Sequence, residues 1–354
     1  MRTLLSGKKI LNFVSIILLA AGLLASSCLS QQTAMPRIEE VEVEEFHGEV
    51  GERLEEIYAS QIDEHYEILA YHYSRSINME KAIHYLMKAG DKAKDAYASQ
   101  QALEYYSQAL ELANESQEIT SSVTGHIYVS LADVYIIMDN KEGAINSVLK
   151  ALEYNIEGEK KAKAYEIIGR AYTSKNHNLS IDYLNKAIAE IGNNAESEQA
   201  LWIRYRMFWP KLYRGDKEGA VELAEKGLEW AKNTENFHLA SKFYTCLIWV
   251  YMEPSYGIND INKGFRYAQE SLEVAKKTGE KPLIAAATFW LGWANMRKGQ
   301  NDTAIELMKE AIEGYKKTGR NFGIRQAYNW LSGIYIRRGD LAGLIDMTKW
   351  VIKP

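Results

Sequence analysis

The stretch TFWLGWANMRKGQNDTAIELMKEAI, residues 288–312, decides the fold of this chain of 354 residues. Its first half carries a Leu-Gly pair among large apolar residues. Its second half carries Ala304, Met308 and Ala311, which are four and three residues apart. Apolar residues with that spacing lie on one face of a helix. Small side chains let two helices approach closely while larger neighbours fill the gaps, so the stretch predicts two helices packed as a hairpin.

The same pattern recurs along the chain. Aligning the copies on the small residue early in the second helix gives the positions 82, 102, 144, 180, 220, 264, 304 and 344. Successive positions are 36 to 44 residues apart, except for the 20-residue step from 82 to 102, which indicates that residues 80–98 serve two hairpins. Such a period is typical of stacked helical hairpins, whose terminal copies are often atypical. Leu344, a large residue at the last position, is one such departure.

Helix-start signals agree with this reading. Only five prolines occur, so long helices are possible, and no stretch alternates apolar and polar residues over a convincing length. Asp or Asn side chains can accept hydrogen bonds from the free N–H groups of a first turn. Such residues stand where the second helices should open, at Asn78, Asn140, Asp216, Asp260, Asp302 and Asp340. We therefore predict an all-α protein, a right-handed α-solenoid of about eight repeats over residues 53–354.

The order of Trp, Leu-Gly, Tyr and Ala in these copies resembles the tetratricopeptide repeat (TPR). The resemblance implies a solenoid that binds protein or peptide partners in a concave groove. Residues 67–112 are also similar to the TPR region that follows the ATPase module in some bacterial cyclase-like and regulatory proteins. That similarity covers the repeats alone and implies common ancestry without catalysis.

The first residues have a different chemistry. A basic start at residues 2–9 precedes the apolar run 10–24, and the segment Leu-Ala-Ser-Ser-Cys then ends at Cys28. This order indicates an export signal over residues 1–27. It resembles a bacterial lipoprotein signal, which implies cleavage before Cys28 and a lipid on that cysteine. An uncleaved membrane anchor is the alternative, because the apolar run and its flank are nearly long enough to span a bilayer.

An acidic segment follows. Residues 29–36 are rich in Ser, Gln and Thr, and nine glutamates occur between positions 39 and 56. We interpret 28–52 as a solvated, lipid-proximal linker that merges into the first helix. The alternative is an acidic segment that docks on a basic partner.

Charge and motifs restrict the function. With 42 basic and 47 acidic residues the chain lacks the basic excess that nucleic-acid binding needs. No phosphate-binding glycine loop, zinc motif or nucleophile with a placed histidine is found, so we expect no enzyme, no cofactor and no metal. His65, His72 and His84 could form a metal site, but packing and surface roles are more common for histidines in an aromatic hairpin. Cys246 is expected to be a small core residue rather than a catalytic thiol.

The resemblance also gives a candidate binding surface. In TPR proteins the first helix of each pair lines the groove, and carrying its groove-facing positions onto this sequence gives Trp202, Tyr205, Trp209, Tyr213, Trp249, Phe289, Trp293, Arg297, Asn329 and Arg337. We interpret them as an aromatic groove with arginines at its rim, suited to an extended peptide, because large aromatics and Arg dominate interface energies. The alternative is that some of these aromatics pack between helices. The family's Lys-Asn-Arg carboxylate clamp is not found at the matching positions.

Together these patterns predict a lipid-anchored TPR scaffold or adaptor. It would be exported and held at the bacterial envelope through its N-terminus, with protein or peptide partners in the groove. The alternative function is a membrane-anchored regulatory or sensor module related to the TPR regions of ATPase- or cyclase-like signalling proteins.

Overall fold

A computed structural model describes residues 40–116, 119–192, 197–255, 257–318 and 321–352. In these ranges the chain forms sixteen α-helices, one 3₁₀ helix at Ile62–His65 and no strand. The helices are α1 (Glu40–Ile57), α2 (Tyr66–Tyr73), α3 (Met79–Asp95), α4 (Ser99–Glu115), α5 (Ser121–Ile137), α6 (Lys141–Glu153), α7 (Gly158–Tyr172), α8 (His177–Ile191), α9 (Glu198–Tyr213), α10 (Lys217–Asn233), α11 (Phe237–Met252), α12 (Ile261–Thr278), α13 (Lys281–Arg297), α14 (Asn301–Lys317), α15 (Asn321–Arg338) and α16 (Leu341–Ile352). None of these helices is long and apolar enough to cross a membrane.

Each helix packs on the next one along the chain, so the helices stack pairwise into a solenoid. The predicted all-α, TPR-like solenoid of about eight hairpins is confirmed. Helix α3 packs on both α2 and α4, as the other helices of the stack do on their neighbours. The sharing of residues 80–98 by two hairpins stays a prediction.

The small residues of the repeat lie at the helix contacts. Ala82, Ala102, Ala144, Ser180, Ala220, Gly264 and Ala304 are all buried, whereas Leu344 in the last hairpin is partly buried. Gly227 of α10 shows the tightness of these contacts, because a Cβ added there would collide with the ring of Phe243 on α11. The core is consequently a series of side-chain clusters along the stack, each shared by neighbouring hairpins.

Most of the predicted helix caps form. Asn140 Oδ1 accepts a hydrogen bond from the backbone N–H of Gly143 at 2.9 Å, and Asn78, Asp216, Asp260 and Asp340 make the equivalent bond. The prediction for Asp302 is wrong, because α14 begins at Asn301 and Asp302 lies inside its first turn. The carboxylate of Asp302 instead accepts a hydrogen bond from Arg338 at 2.7 Å, which ties α14 to α15.

The solenoid begins before the predicted boundary. Residues 40–57 form helix α1, which packs on α2, so the acidic segment from residue 40 onward is a helix of the stack rather than a linker. Leu54 of this helix packs against the core, and the glutamates occupy other positions of the helix. Residues 28–39, including Cys28, lie outside the described residues.

One side chain of α1 and three side chains of α2 and α3 hold α1 against the first hairpin. Glu55 of α1 accepts hydrogen bonds from Lys81 at 2.8 Å and from the Tyr85 hydroxyl at 2.6 Å. Lys81 also donates to the Tyr73 hydroxyl at 3.0 Å, and the rings of Tyr73 and Tyr85 stack 5.4 Å apart. We call this arrangement of one Glu, one Lys and two Tyr the hairpin clamp.

A second hairpin clamp lies further along the chain. Glu225 of α10 accepts a hydrogen bond from Tyr267 at 2.9 Å and pairs with Lys263 at 3.2 Å. Lys263 donates to the Tyr251 hydroxyl at 2.5 Å, and the two tyrosine rings stack 5.8 Å apart. Helix α1 thus occupies, relative to α2 and α3, the place that α10 occupies relative to α11 and α12. It is a second helix of the hairpin pattern.

The first helices of the hairpins define one side of the stack. Alternate helices contact one another within the set α5, α7, α9, α11, α13 and α15, in the pairs α5–α7, α9–α11, α11–α13 and α13–α15. The intervening second helices form no comparable contacts in the described part of the chain. Hairpins that approach more closely on one side curve toward it, so we call the side of the first helices the inner surface.

Candidate functional site

Aromatic residues of α9 and α11 form a continuous part of the inner surface. The rings of Trp209 and Trp249 meet edge to face at 5.6 Å, and Tyr213 lies 6.0 Å from Trp209. Trp202 meets Tyr205 at 5.8 Å one turn earlier on α9. These five residues, the aromatic patch, are partly buried except for Tyr213, which is 42% exposed.

The sequence left open whether these aromatics form a binding groove or pack between helices, and the aromatic patch does both. Burial raises the pKa of Tyr205 to about 12, and its ring contacts Phe243 in the core at 6.1 Å. Tyr213 instead faces outward and lies 5.6 Å from His177 of α8. One side of the patch therefore belongs to the core, while Trp202, Trp209, Trp249 and Tyr213 keep surface that a ligand can cover.

Two predicted groove residues are core residues. Phe289 is fully buried and Trp293 is 1% exposed. Trp293 packs between Trp290 and Trp330, with ring centroids 5.7 Å and 5.9 Å away. The prediction that Phe289 and Trp293 face the groove is corrected, because both side chains are buried in the core and Trp330 of α15 packs on Trp293.

The predicted rim residues also have other surroundings. Arg297 Nε donates to the carbonyl of Met252 at 2.9 Å, and its Nη2 contacts Asn259 at 3.4 Å. The guanidinium therefore satisfies the carboxyl end of α11 and holds the turn that follows it, rather than standing free at a rim. Asn329 and Arg337 are exposed on α15, with no described contact to the aromatic patch.

Charged residues continue the inner surface toward the N-terminus. Asp133 of α5 accepts a hydrogen bond from Arg170 of α7 at 2.9 Å, and Glu166 of α7 accepts one from Arg206 Nε of α9. Lys163 lies 3.4 Å from Asp133 and 3.5 Å from Glu166. These charges link three successive first helices.

The cations hold both carboxylates in their charged form. Burial alone would raise the pKa of Glu166, but Lys163, Arg206 and Arg170 together lower it below the usual range. The pKa of Asp133 is likewise lowered, since Lys163 and Arg170 outweigh the effect of burial. Lys94 of α3 lies 3.9 Å from Asp133 and extends the same network by one hairpin. We call Lys94, Lys163, Arg170 and Arg206 the cationic patch.

The sequence contained a signal for the cationic patch that the groove prediction did not use. Lys163, Glu166 and Arg170 precede Trp202, Tyr205 and Trp209 by a constant 39 residues, so they occupy the same repeat positions one hairpin earlier. Extending the groove-facing positions to α7 would have found them. The two patches adjoin, because the guanidinium of Arg206 lies 6.0 Å from the ring of Trp202.

The other candidate sites are packing contacts. Nδ1 of His72 lies 3.0 Å from Nδ1 of His47, and the ring of His65 lies 3.7 Å from that of Tyr58. Among the residues that the structure describes, no three His, Cys, Asp or Glu side chains are grouped to hold a metal. Cys246 is fully buried, which raises the pKa of its thiol well above the usual value, as expected for a core residue.

The fold and the inner surface define a solenoid of TPR-like hairpins, and comparisons with known proteins agree. A model of the tetratricopeptide repeat matches residues 125–155, which contain most of the α5/α6 hairpin. No curated protein matches the chain. The similarity of residues 67–112 to ATPase- and cyclase-linked TPR regions stays a prediction.

Solved structures show the same fold over most of the chain. The Rap conjugation gene regulator of plasmid pLS20, in complex with the Phr* peptide, is 13% identical, with 98% of this chain and 84% of that one covered at a TM-score of 0.54. The apo form of the quorum sensor NprR from B. thuringiensis is 12% identical, with 88% and 98% covered at 0.53. A Rap protein complexed with competence and sporulation factor is 13% identical, with 77% and 80% covered at 0.52. At these identities the likeness concerns the fold.

Proposed function

We propose that this protein binds an extended peptide, or an extended segment of a partner protein, along the inner surface of α5, α7, α9 and α11. The observation that carries the proposal is the aromatic patch, in which Trp202, Trp209 and Trp249 remain only partly buried while sharing one surface with Tyr213. Large, rigid aromatic side chains lose little conformational entropy on binding and are enriched among the residues that dominate interface energies.

The neighbouring folds support a peptide ligand. Two of the similar structures are complexes, one with the Phr* peptide and one with competence and sporulation factor. The present chain covers most of both proteins, so its stack is long enough to offer a comparable surface. We accordingly favour a short peptide over a folded domain as the ligand.

The test is selection of a phage-displayed random peptide library on the immobilised protein, followed by measurement of the recovered peptides by fluorescence polarisation. We expect Trp209→Ala to weaken binding at least tenfold, since truncating a central anchor costs about 2 kcal/mol or more. The matched control is Phe322→Ala, which removes an aromatic ring that is 68% exposed on α15. If the recovered peptides bind Trp209→Ala as tightly as the unaltered protein, the aromatic patch is not the binding surface.

We further propose that the protein is exported and anchored at the bacterial envelope through a lipid on Cys28, where it acts as a scaffold or adaptor. The support is the order of basic, apolar and small residues before Cys28. Labelling of cells with a palmitate analogue should mark the protein, and Cys28→Ala should abolish the label. A label that persists in Cys28→Ala contradicts the anchor, and peptide-dependent control of a signalling partner would favour the regulatory alternative.

A further inference from the structure

Beneath the cationic patch lie the carboxylates that hold it. The side chain of Glu166 is 4% exposed and that of Asp133 is 15% exposed, whereas those of Lys163 and Arg206 are 32% and 28% exposed. The carboxylates of Glu166 and Asp133 therefore lie below Lys163 and Arg206, which reach the surface, whereas Asp91 beside Lys94 is itself 47% exposed. A ligand on this part of the inner surface meets N–H donors and positive charge, although the whole chain is net negative.

The cations retain unused hydrogen-bonding capacity. Arg206 donates to Glu166 through Nε alone, and its two terminal nitrogens make no hydrogen bond to the described residues. A guanidinium offers five N–H donors, and its two terminal nitrogens match the two oxygens of a carboxylate. Lys163 lies at 3.4 Å and 3.5 Å from two carboxylates without a hydrogen bond to either. Both groups can therefore donate to a ligand without leaving their present partners.

The balance of charge favours an anion. The four cations of the patch face three carboxylates, those of Glu166, Asp133 and Asp91, the last of which lies 3.1 Å from Lys94. One positive charge is left without a carboxylate in this network. The buried carboxylates also fix the guanidinium groups before a ligand arrives, which lowers the entropy lost on binding.

We propose that the cationic patch binds an acidic side chain, Asp or Glu, of the peptide whose apolar side chain packs on the aromatic patch. This inference rests on the proposed function and adds the class of peptide. Helices that pack on each other are generally about 8–10 Å apart, an extended chain rises about 3.3 Å per residue, and the Glu166–Arg206 pair joins α7 directly to α9. An acid held between α7 and α9 and an apolar side chain held between α9 and α11 are therefore about three residues apart in the ligand.

The test uses fluorescein-labelled nonapeptides with amidated C-termini, a fixed Glu, and a Trp, Phe or Leu placed two to four residues away on either side. Each peptide has a partner in which Gln replaces Glu. Affinities are measured for the unaltered protein, for Lys163→Gln, which leaves the Arg206–Glu166 pair in place, and for Arg206→Lys, which keeps the charge. Arg338→Gln, on the far hairpins, is the matched control, and circular dichroism checks the fold of every variant.

We expect replacement of Glu by Gln to weaken binding to the unaltered protein at least tenfold and to Lys163→Gln no more than threefold. Arg206→Lys should weaken binding less than Lys163→Gln does, and Arg338→Gln should change nothing. Equal losses on Glu replacement in the unaltered protein, in Lys163→Gln and in Arg206→Lys would overturn the inference, because the acid would then contact neither of the two cations that retain donors.

The outcomes separate this inference from the proposed function. If peptides bind and depend on Trp209 but tolerate Gln at every position, the aromatic patch stands and the acidic preference fails. The same peptides are also made with a free C-terminal carboxylate, and if only these bind, the ligand's anion is the terminus and the side-chain assignment is overturned. If no peptide of either series binds, both proposals fail.

Discussion

Replacement of Trp293 by Ala distinguishes a core residue from a groove residue. Trp293 is 1% exposed and packs against Trp290 and Trp330, so truncation leaves a cavity inside the largest side-chain cluster. A groove residue truncated in the same way would reduce ligand binding and leave the fold stable. The two roles therefore predict different measurements on the same variant.

The expected loss of stability follows from the surroundings of the indole. Truncating a buried Trp to Ala costs about 3–5 kcal/mol. Nε1 of Trp293 has no hydrogen-bond partner among the described residues, so removing this buried N–H offsets part of the loss. We therefore expect the free energy of unfolding to fall by about 3 kcal/mol. Trp293→Phe keeps most of the apolar contact and removes the unpaired N–H, so it should cost less than about 1.5 kcal/mol. Trp209→Ala should cost about 1–2 kcal/mol, since its ring is only partly buried.

Thermal unfolding followed by circular dichroism measures the difference. With an unfolding entropy of about 2 cal/mol/K per residue over about 300 residues, a loss of 3 kcal/mol lowers the midpoint by about 5 °C. Stacked hairpins can unfold in separate units, so the transition of the C-terminal hairpins should shift most. If Trp293→Ala melts within 1 °C of the unaltered protein and loses peptide binding, the assignment of Trp293 to the core is refuted.

Three further perturbations test a close helix contact, a histidine pair and a helix cap. Gly227→Ala should cost about 1–3 kcal/mol in urea unfolding, because its Cβ would collide with a buried ring, whereas Gly48→Ala in α1 has room and should not destabilise. Equal effects would contradict the close contact. Burial lowers the pKa of both His47 and His72, so their stabilising contribution is present above about pH 6.5 and is lost as pH falls. Replacing His47 with Gln should reduce the loss of stability between pH 7.5 and 5, and an unchanged pH profile would disprove this. Asn140→Ala should cost about 1 kcal/mol in the same urea assay, and no loss would mean that the cap bond to α6 contributes nothing.

The sequence predicted the stacking because the contacts that produce it are local and repeated. Ala144, Ala220 and Ala304 follow the same pattern of small and large residues, and each is buried in the contact between the two helices of a hairpin. The start of the solenoid was harder to predict from the sequence. The glutamates of α1 indicated a solvated segment. Nothing in that pattern showed that Glu55 of α1 would accept a hydrogen bond from Lys81 of α3, which lies beyond α2 in the sequence.

The candidate site was predictable in part, for a reason that Trp209 and Trp293 make clear. Both occupy the groove-facing position of their hairpin, yet only Trp209 keeps exposed surface, because Trp330 on the following first helix covers Trp293. Repeat position gives the direction of a side chain but not the size of its neighbours. The cationic patch was missed although the same 39-residue offset leads to it, because the groove-facing positions were carried onto α9, α11, α13 and α15 but not onto α7.

The two hairpin clamps join side chains at different distances along the chain, with 26 residues between Glu55 and Lys81 and 38 between Glu225 and Lys263. The same four side-chain types therefore join α1 and α10 to the hairpin that follows each of them, over connecting segments of different length. The clamp alone does not make the two helices interchangeable, because Ile57 takes the place of Gly227 when Glu55 is aligned with Glu225, and a Cβ at Gly227 would already collide with Phe243. A helix moved from one end of the stack to the other would need both the glutamate and the small residue.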